Sequence, residues 1–366
     1  MKHKAAVIGC GRIGGMLEDD PFRQHPCTHA GALKGNPSID IVAACDTDPE
    51  RLEAFGRIWG AGRLYSGYAE LLEKEKDLDI VSVCTWTESH CKIVLKACEN
   101  RNLKGIICEK PMAVCLSEAD EMIRATDKAG KVLVINHERR WSEVYKKVKQ
   151  MISGGEIGEA RTVVGNVLTG RPKPDWHSRD YIAGGGPLLH DGTHLVDIMR
   201  YFFGEVDWVI GHVRRESKDR PVDDTALALF RFKNGISGVL EAGGLRNYFN
   251  FELDIQGSSG RILVGNEELG LWKTEPSTRY SGFVELARRE FSHPAVKWNV
   301  FESLVGHTLD LIENRGENIS SGKDGALTLE IINAVYESQR KNNAKISLPM
   351  KNRDYSFRKL IEEGGF

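Results

Sequence analysis

The 366-residue chain is 41% hydrophobic and 28% charged, enough for a sizeable core and, at this length, for two domains rather than one. Its 50 basic against 52 acidic residues leave a formal net charge of -2, so no overall field draws it to nucleic acid or to an anionic membrane, and a small molecule is the expected partner. No stretch reaches the roughly 18 uninterrupted apolar residues of a membrane helix, and the start MKHKAAVIGCGRIGG reads as a first strand rather than a secretory signal, which makes a cytoplasmic location the expectation.

Strand-forming AAVIG runs straight into Gly9-Cys10-Gly11-Arg12-Ile13-Gly14, the G-x-G-x-x-G spacing of a dinucleotide site. In such a motif Gly9 permits the tight turn, Gly11 lets the backbone approach a pyrophosphate, and Gly14 lets helix and strand pack closely; the alternative is a plain glycine turn. Met16 to Ala30 reads as an insertion, because the second strand, IDIVAAC, delivers Asp46 farther beyond Gly14 than the usual ~20 residues. A carboxylate there can accept both ribose hydroxyls and repel a 2′-phosphate, so NAD is expected over NADP. The plainer reading of Asp46 is a cap for the helix starting near Pro49.

DIVSVC, GIIC and KVLVIN continue the series of β-rich runs, alternating with PERLEAFGRIWG and ESHCKIVLKACENR of helical period. The alternation predicts a parallel, doubly wound sheet, a Rossmann domain over residues 1–135, with right-handed crossovers placing helices on both faces of continuously apolar strands. All eight cysteines lie between Cys10 and Cys115, with no CxxC pair; Cys91 and Cys98 share a helical face as small buried residues. Thr85-Trp86-Thr87-Glu88-Ser89-His90 follows DIVSVC, and Glu109-Lys110-Pro111 follows GIIC. An ammonium at the carboxyl end of a parallel strand lies where ligands bind, can steady a developing alkoxide, and can lose its proton when burial lowers its pKa. Pro111 restricts Lys110 to extended geometry, so the lysine is held; a surface lysine is the alternative.

After Asn136 the pattern changes, and a second domain, 136–366, is expected. It opens with a helix, WSEVYKKVKQMI, and a strand near ARTVVGNVL; Arg139 and Arg140 lie just beyond KVLVIN, and the loop RPKPDWHSRDY offers Trp176, His177 and Arg179 to a hydroxyl-rich ligand. Pro187 to Phe203 reads as one helix, with His190 and His194 at i,i+4 and Asp191 at i,i+3 from His194. Imidazole exchanges a proton near neutral pH, so His194 is a candidate acid or base, against the alternative of a satisfied core histidine. Between Val206 and Val264, TALALFRF, GISGVLEAG and FNFELDIQG are bounded by turn residues and predict an α+β domain with a large, mainly antiparallel open sheet. One face of such a sheet can pack on the domain's own helices and the other on a second subunit, so a homo-oligomer, dimer or tetramer, is expected.

Thr85 to His90, Glu109-Lys110-Pro111 and GGGPLLHDGTHLVD (Gly184 to Asp197), in this order behind the glycine motif, resemble the Gfo/Idh/MocA oxidoreductases over nearly the whole chain. The resemblance implies a Rossmann domain, a C-terminal sheet domain used for oligomerisation, and hydride exchange between nicotinamide and a sugar, polyol or related alcohol. It implies that Lys110 sits by the nicotinamide and the reacting oxygen. Taken with the glycine motif and the polar loop, it places Gly9, Gly11, Arg12, Ile13, Gly14, Asp46, Thr85, Trp86, His90 and Glu109 with the cofactor, and Arg139, Trp176, His177, His190, Asp191 and His194 with the substrate. Two positions depart from the family pattern. Trp86 stands where proline is usual and either lines the nicotinamide pocket or fills a gap in the core; His190 stands where aspartate is usual, with Asp191 one step later, so either can partner His194. His90 has a structural alternative at its helix start.

The expected reaction is reversible oxidation of a secondary hydroxyl of a sugar or cyclic polyol, with Lys110 and His194 handling the hydroxyl proton. Two other classes stay open: glycoside cleavage by transient oxidation and elimination, and a non-catalytic dinucleotide-binding regulator. His190-Asp191-Gly192-Thr193-His194 also matches the H-E-x-x-H spacing of zinc proteases with Asp for Glu, but a third ligand and a longer general-base arm are wanting and Gly192 weakens the helix, so no metal is expected.

Overall fold

The computed structural model describes residues 2–170, 185–216, 222–266, 268–292 and 299–365. Trp176, His177 and Arg179 lie outside them. The chain divides into two units, Met1–Ser142 with Val296–Ala326, and Glu143–Ala295 with Leu327–Phe366.

The first unit alternates strand and helix: β1 (His3–Ile8), α1 (His29–Gly35), β2 (Ile39–Cys45), α2 (Pro49–Trp59), β3 (Arg63–Tyr65), α3 (Tyr68–Lys74), β4 (Ile80–Val83), α4 (Thr87–Cys98), β5 (Gly105–Cys108), α5 (Leu116–Ala129) and β6 (Val132–Ile135). The six strands are all parallel in the order β3-β2-β1-β4-β5-β6, the doubly wound Rossmann arrangement the alternation predicts. Every residue of β4 and β5 is buried: on one side Ile80 and Ile107 join an apolar cluster with residues of α1, α2 and the later helix Val300–Ile312, and on the other α4 packs on both strands. Local chemistry sets the helix ends. α2 starts on Asp48, whose carboxylate accepts from the Arg51 amide, continues with Pro49 in its first turn, and stops at Gly60 in the left-handed region.

The glycine loop does not lead directly into α1. The amides of His29 and Ala30 donate to the carbonyls of Ile13 and Gly14, as in continuous helix, yet sixteen positions separate each pair where helix needs four. Twelve residues are therefore looped out between the glycine loop and α1, an interruption shorter than the expected Met16–Ala30 insertion because His29 and Ala30 already belong to α1. Discounting them brings Asp46 to twenty positions after Gly14, the spacing a dinucleotide fingerprint has.

In chain order the second unit then contributes α6 (Glu143–Ser153), β7 (Ala160–Leu168), α7 (Pro187–His190), α8 (Gly192–Phe203), β8 (Val206–Arg214), β9 (Thr225–Phe232), β10 (Ser237–Gly243), β11 (Asn250–Gly257), β12 (Gly260–Gly265), β13 (Leu269–Pro276) and β14 (Val284–Arg289). α9 (Val300–Ile312) returns to the first unit, α10 (Gly322–Arg340) runs from one unit into the other, and β15 (Ile346–Ser347) and α11 (Ser356–Glu362) complete the second. Nine strands form one sheet, β14-β13-β12-β11-β7-β10-β9-β8-β15, in which β7 and β10 are parallel and all other pairs antiparallel. β9 alternates between a face that buries Phe230 and Phe232 and one that leaves Leu227 and Leu229 exposed. α6, α7 and α8 pack on the sheet within this unit.

The first unit extends past Ile135 as far as Ser142 because Trp141 is buried in the same apolar cluster as Phe301 and Leu304 of α9. The returning chain also covers the β6 edge: the Asn318 amide donates to Leu133 O at 2.8 Å, the Ser320 hydroxyl to Ile135 O at 2.8 Å, and Arg140 reaches Ile319 O at 2.5 Å and Asp324 at 3.0 Å. No helix among the described residues is long and apolar enough to cross a membrane.

Candidate functional site

The carboxyl ends of β1, β2, β4 and β5 carry the residues that the glycine motif and the Glu-Lys-Pro segment pick out. Gly9 has φ +97°, and a Cβ on it would lie 2.7 Å from Cys84 backbone atoms; one on Gly14 would lie 2.0 Å from Gly9 O. Around Gly11 the nearest atom to such a Cβ is Arg51 Nη1, at 3.7 Å. Packing thus requires the outer two glycines, while the middle one faces open space of the kind a pyrophosphate needs. Arg12 is exposed and Ile13 half-buried beside it.

Asp46 is buried at the end of β2, where one carboxylate oxygen accepts the Cys10 amide at 2.7 Å and the other the Asp48 amide at 2.9 Å, with Arg51 Nη1 at 3.6 Å. It ties the glycine loop to the second strand. The cap of α2 is Asp48 and not Asp46, because two further residues of turn precede the helix. A carboxylate has about four acceptor sites, so two backbone bonds leave capacity for ribose hydroxyls. Open space at Gly11 and a carboxylate at the end of β2 fit a dinucleotide.

Glu109 ends β5 and is almost wholly buried. One of its oxygens accepts from His29 Nε2 at 2.9 Å and from Asn136 Nδ2 at 2.6 Å; the other accepts the Lys110 amide at 3.1 Å. Burial by itself would raise the pKa of this carboxyl, but the His29 hydrogen bond and charge, the Lys110 charge and the Asn136 bond outweigh it and bring the value down to about 2. The anion therefore braces the backbone from which half-buried Lys110 projects, and the Lys110-Pro111 bond is cis.

His90, fully buried in α4, spans two backbone carbonyls, Pro111 O at 3.0 Å from Nδ1 and Thr85 O at 3.0 Å from Nε2. Burial pushes its pKa down more than the two carbonyls raise it, and the ring links the Thr85 turn to the Lys110-Pro111 turn. The Thr85 hydroxyl accepts from Ser89 Oγ at 2.7 Å. Trp86 precedes α4 and is 49% exposed, so it does not fill a gap in the core. Arg139 is half-buried in the turn after β6, whereas its neighbour Arg140 is anchored on Asp324. All eight cysteines are free; Cys91 is buried and Cys98 half-buried, and burial pushes both thiols up.

In the second unit the expected single helix from Pro187 to Phe203 is two. α7 ends at His190, and α8 begins at Gly192 after Asp191, where the His194 amide donates to Asp191 O at 3.1 Å, a tighter three-residue step. Gly192 is a weak helix former at that position. His190, Asp191 and His194 are all half-buried, and His190 Nε2 lies 4.0 Å from Asp191 Oδ1. Asp197, one turn on, is buried and accepts from the Thr328 hydroxyl at 3.0 Å.

Two supporting residues escape sequence reasoning. Asp223 has no exposure; it accepts the Leu188 amide of α7 at 3.2 Å and the Tyr336 hydroxyl of α10 at 2.9 Å. Burial raises its pKa to about 6 despite both bonds. A Cβ on Gly186 would lie 2.2 Å from Asp223 O, which explains the glycine that leads into α7. His29 is the other: nothing in the chain pattern connects it with a glutamate 80 positions away. Among the described residues one group could gather on a metal ion, Glu18, His25 and Cys27, and it belongs to the insertion rather than to the His190-His194 motif.

Residues 3–137 match the oxidoreductase family with an NAD-binding Rossmann fold, and residues 145–263 match the GFO/IDH/MocA C-terminal domain. The chain belongs to the Gfo/Idh/MocA oxidoreductase family. A myo-inositol 2-dehydrogenase of Thermotoga maritima is 31% identical over 72% of this chain and 75% of its own. A D-apiose dehydrogenase of Paraburkholderia graminis is 27% identical over 93% of this chain and 88% of its own. Among solved structures, the WlbA dehydrogenase of Bordetella pertussis in complex with NADH and UDP-GlcNAcA superposes with a TM-score of 0.79, covering 96% of this chain and all of that one; at 23% identity the likeness is one of fold. This family member is therefore an NAD-binding-fold oxidoreductase with sugar and inositol dehydrogenases among its homologues.

Proposed function

We propose that the chain is an NAD-dependent dehydrogenase that reversibly oxidises a secondary hydroxyl of a sugar, sugar derivative or cyclic polyol. The observation that carries the reading is Lys110 at the carboxyl end of β5, its backbone braced by an ionised, buried Glu109. When bound, NAD supplies the hydride acceptor. Gly9, Gly11 and Gly14 with Asp46 hold the dinucleotide, Gly11 by close backbone approach and Asp46 through ribose hydroxyls. The preference for NAD over NADP rests on the Asp46 carboxylate, which repels a 2′-phosphate; Arg51, 3.6 Å away, tempers that repulsion without removing it. Arg12, Ile13, Thr85 and Trp86 line the same cofactor, and His90 and Glu109 position its turns.

The Lys110 ammonium donates to the substrate oxygen and steadies the alkoxide as its proton leaves. His194 takes up that proton, with His190 or Asp191 orienting the imidazole, and Arg139, Trp176 and His177 contact other substrate hydroxyls. The protein acts in the cytoplasm as a homo-oligomer. Leu227 and Leu229 of β9 and Val239 of β10, at 42%, 40% and 37% exposure with Leu229 opposite Val239, support a second copy on that sheet face.

The test incubates purified protein with NAD or NADP and a panel of inositols, free sugars and glycosides, following nicotinamide absorbance and product identity. Reduction of NAD by at least one polyol or sugar is expected. No reduction across the panel, with tight NAD binding retained, would overturn the dehydrogenase reading.

A further inference from the structure

The insertion that interrupts the glycine-loop helix has its own side-chain chemistry, which the dehydrogenase reaction does not use. Its first turn presents Glu18, and its return presents His25 and Cys27 across Pro26. The three meet: His25 Nδ1 is 3.1 Å from Glu18 Oε1, Cys27 Sγ is 3.9 Å from His25 Nδ1, and one ligand atom from each lies within 4.8 Å of the others. We propose that these residues form a divalent transition-metal site, of the zinc class, that clamps the insertion to the start of α1.

Geometry and donor set both favour zinc. Bond lengths of about 2.0–2.1 Å to nitrogen, 2.0–2.2 Å to oxygen and 2.3 Å to sulfur put tetrahedral neighbours about 3.3 Å (N to O) and about 3.6 Å (N to S) apart. The distances found differ from these by a few tenths of an ångström, and the exposed His25 side chain can turn to absorb them. One thiolate, one carboxylate and one neutral imidazole balance a dication, and mixed S, N and O donors suit zinc far better than magnesium or calcium. Binding releases the Cys27 proton to solvent. Water takes the fourth position from the His25 side, since that side chain is 42% exposed while Cys27 is buried.

The clamp acts on α1 through one shared residue. Thr28 donates its hydroxyl to Glu18 Oε2 at 2.6 Å and accepts the Gly31 amide at 3.0 Å as the helix cap. Metal on Glu18 and Cys27 therefore fixes the residues on both sides of the interruption. Without metal the same contacts persist as hydrogen bonds, Cys27 Sγ donating to Leu17 O at 3.1 Å, so the fold forms either way.

Full-length protein stripped with chelator is titrated with Co²⁺ alone and then with Zn²⁺. One equivalent of cobalt is expected to give thiolate-to-metal charge-transfer absorption in the near ultraviolet, displaced by one equivalent of zinc, and zinc is expected to raise the melting temperature. His25→Ala alters an exposed side chain and leaves the fold intact, yet it removes one of three ligands. It should weaken zinc binding by more than about 100-fold, since even the outer partners of a ligand are worth about 10–100-fold. Cys27→Ser should abolish the charge-transfer band. Absence of the band in wild type, its persistence in Cys27→Ser, or unchanged zinc affinity in His25→Ala overturns the site.

Discussion

Replacing Asp223 by asparagine isolates the cost of a buried charge. Native Asp223 titrates at about 6, raised from 3.8 because burial of the carboxylate outweighs the Leu188 amide and Tyr336 hydroxyl bonds that favour its ionised form. Between those two values the native state binds more protons than the unfolded chain, so stability falls as pH rises through the window. The favourable contribution is complete below 3.8 and gone above about 6. About 2 pKa units at 1.36 kcal/mol each make the swing about 3 kcal/mol. Asparagine has nearly the same shape and no charge; its oxygen can keep the Leu188 amide and its NH₂ can donate to the Tyr336 oxygen. Urea unfolding of both proteins at steps between about pH 4 and pH 7 is the assay, because groups common to the two cancel in the difference. The variant should gain up to about 3 kcal/mol on wild type as pH rises, starting about 1 kcal/mol below it at low pH because of weaker hydrogen bonds. A difference that stays constant across that range refutes the argument.

Lys110→Ala should lower kcat by more than about 100-fold, the lower end of what proton-transfer groups contribute, while NAD affinity measured calorimetrically stays near wild type; full activity would remove Lys110 from the mechanism. Gly11→Ala and Gly14→Ala should separate cleanly. The first has room for its methyl and should change stability by less than about 0.5 kcal/mol while weakening NAD binding. The second drives a methyl onto Gly9 O and should cost about 2 kcal/mol or more in thermal unfolding. Glu109→Gln leaves one acceptor oxygen for the three donors Glu109 now holds, so it should lose about 1–3 kcal/mol at neutral pH. Because the native pKa is lowered to about 2 from 4.5, the wild-type advantage is complete above 4.5 and disappears as pH falls toward 2, which acid titrations of both proteins would show.

Much of the architecture was legible in the amino-acid order. Continuous apolar runs alternating with helical periods announced the parallel sheet, and bounded alternating runs the larger antiparallel one; the glycine motif and Glu109-Lys110-Pro111 stand at the carboxyl edge of the parallel sheet. These are local signals, carried by residues a few positions apart. The alternative reading of Asp46 as the cap of α2 does not hold, since two residues of turn precede the helix, and the single helix expected from Pro187 missed the break at Asp191 because helical spacing persists through one tightened step.

What the linear order determined, then, was which segments become strands and helices, and which residue types stand at the strand ends. Tertiary structure alone decided which distant partners those residues meet. His29 and Glu109 are 80 positions apart, Asp223 and Tyr336 are 113, and the return of α9 to the first unit leaves no trace in periodicity. The physical reason is that backbone preference is set by near neighbours, whereas the ionisation and orientation of a buried polar side chain are set by whatever the fold packs around it, which no short window of sequence contains.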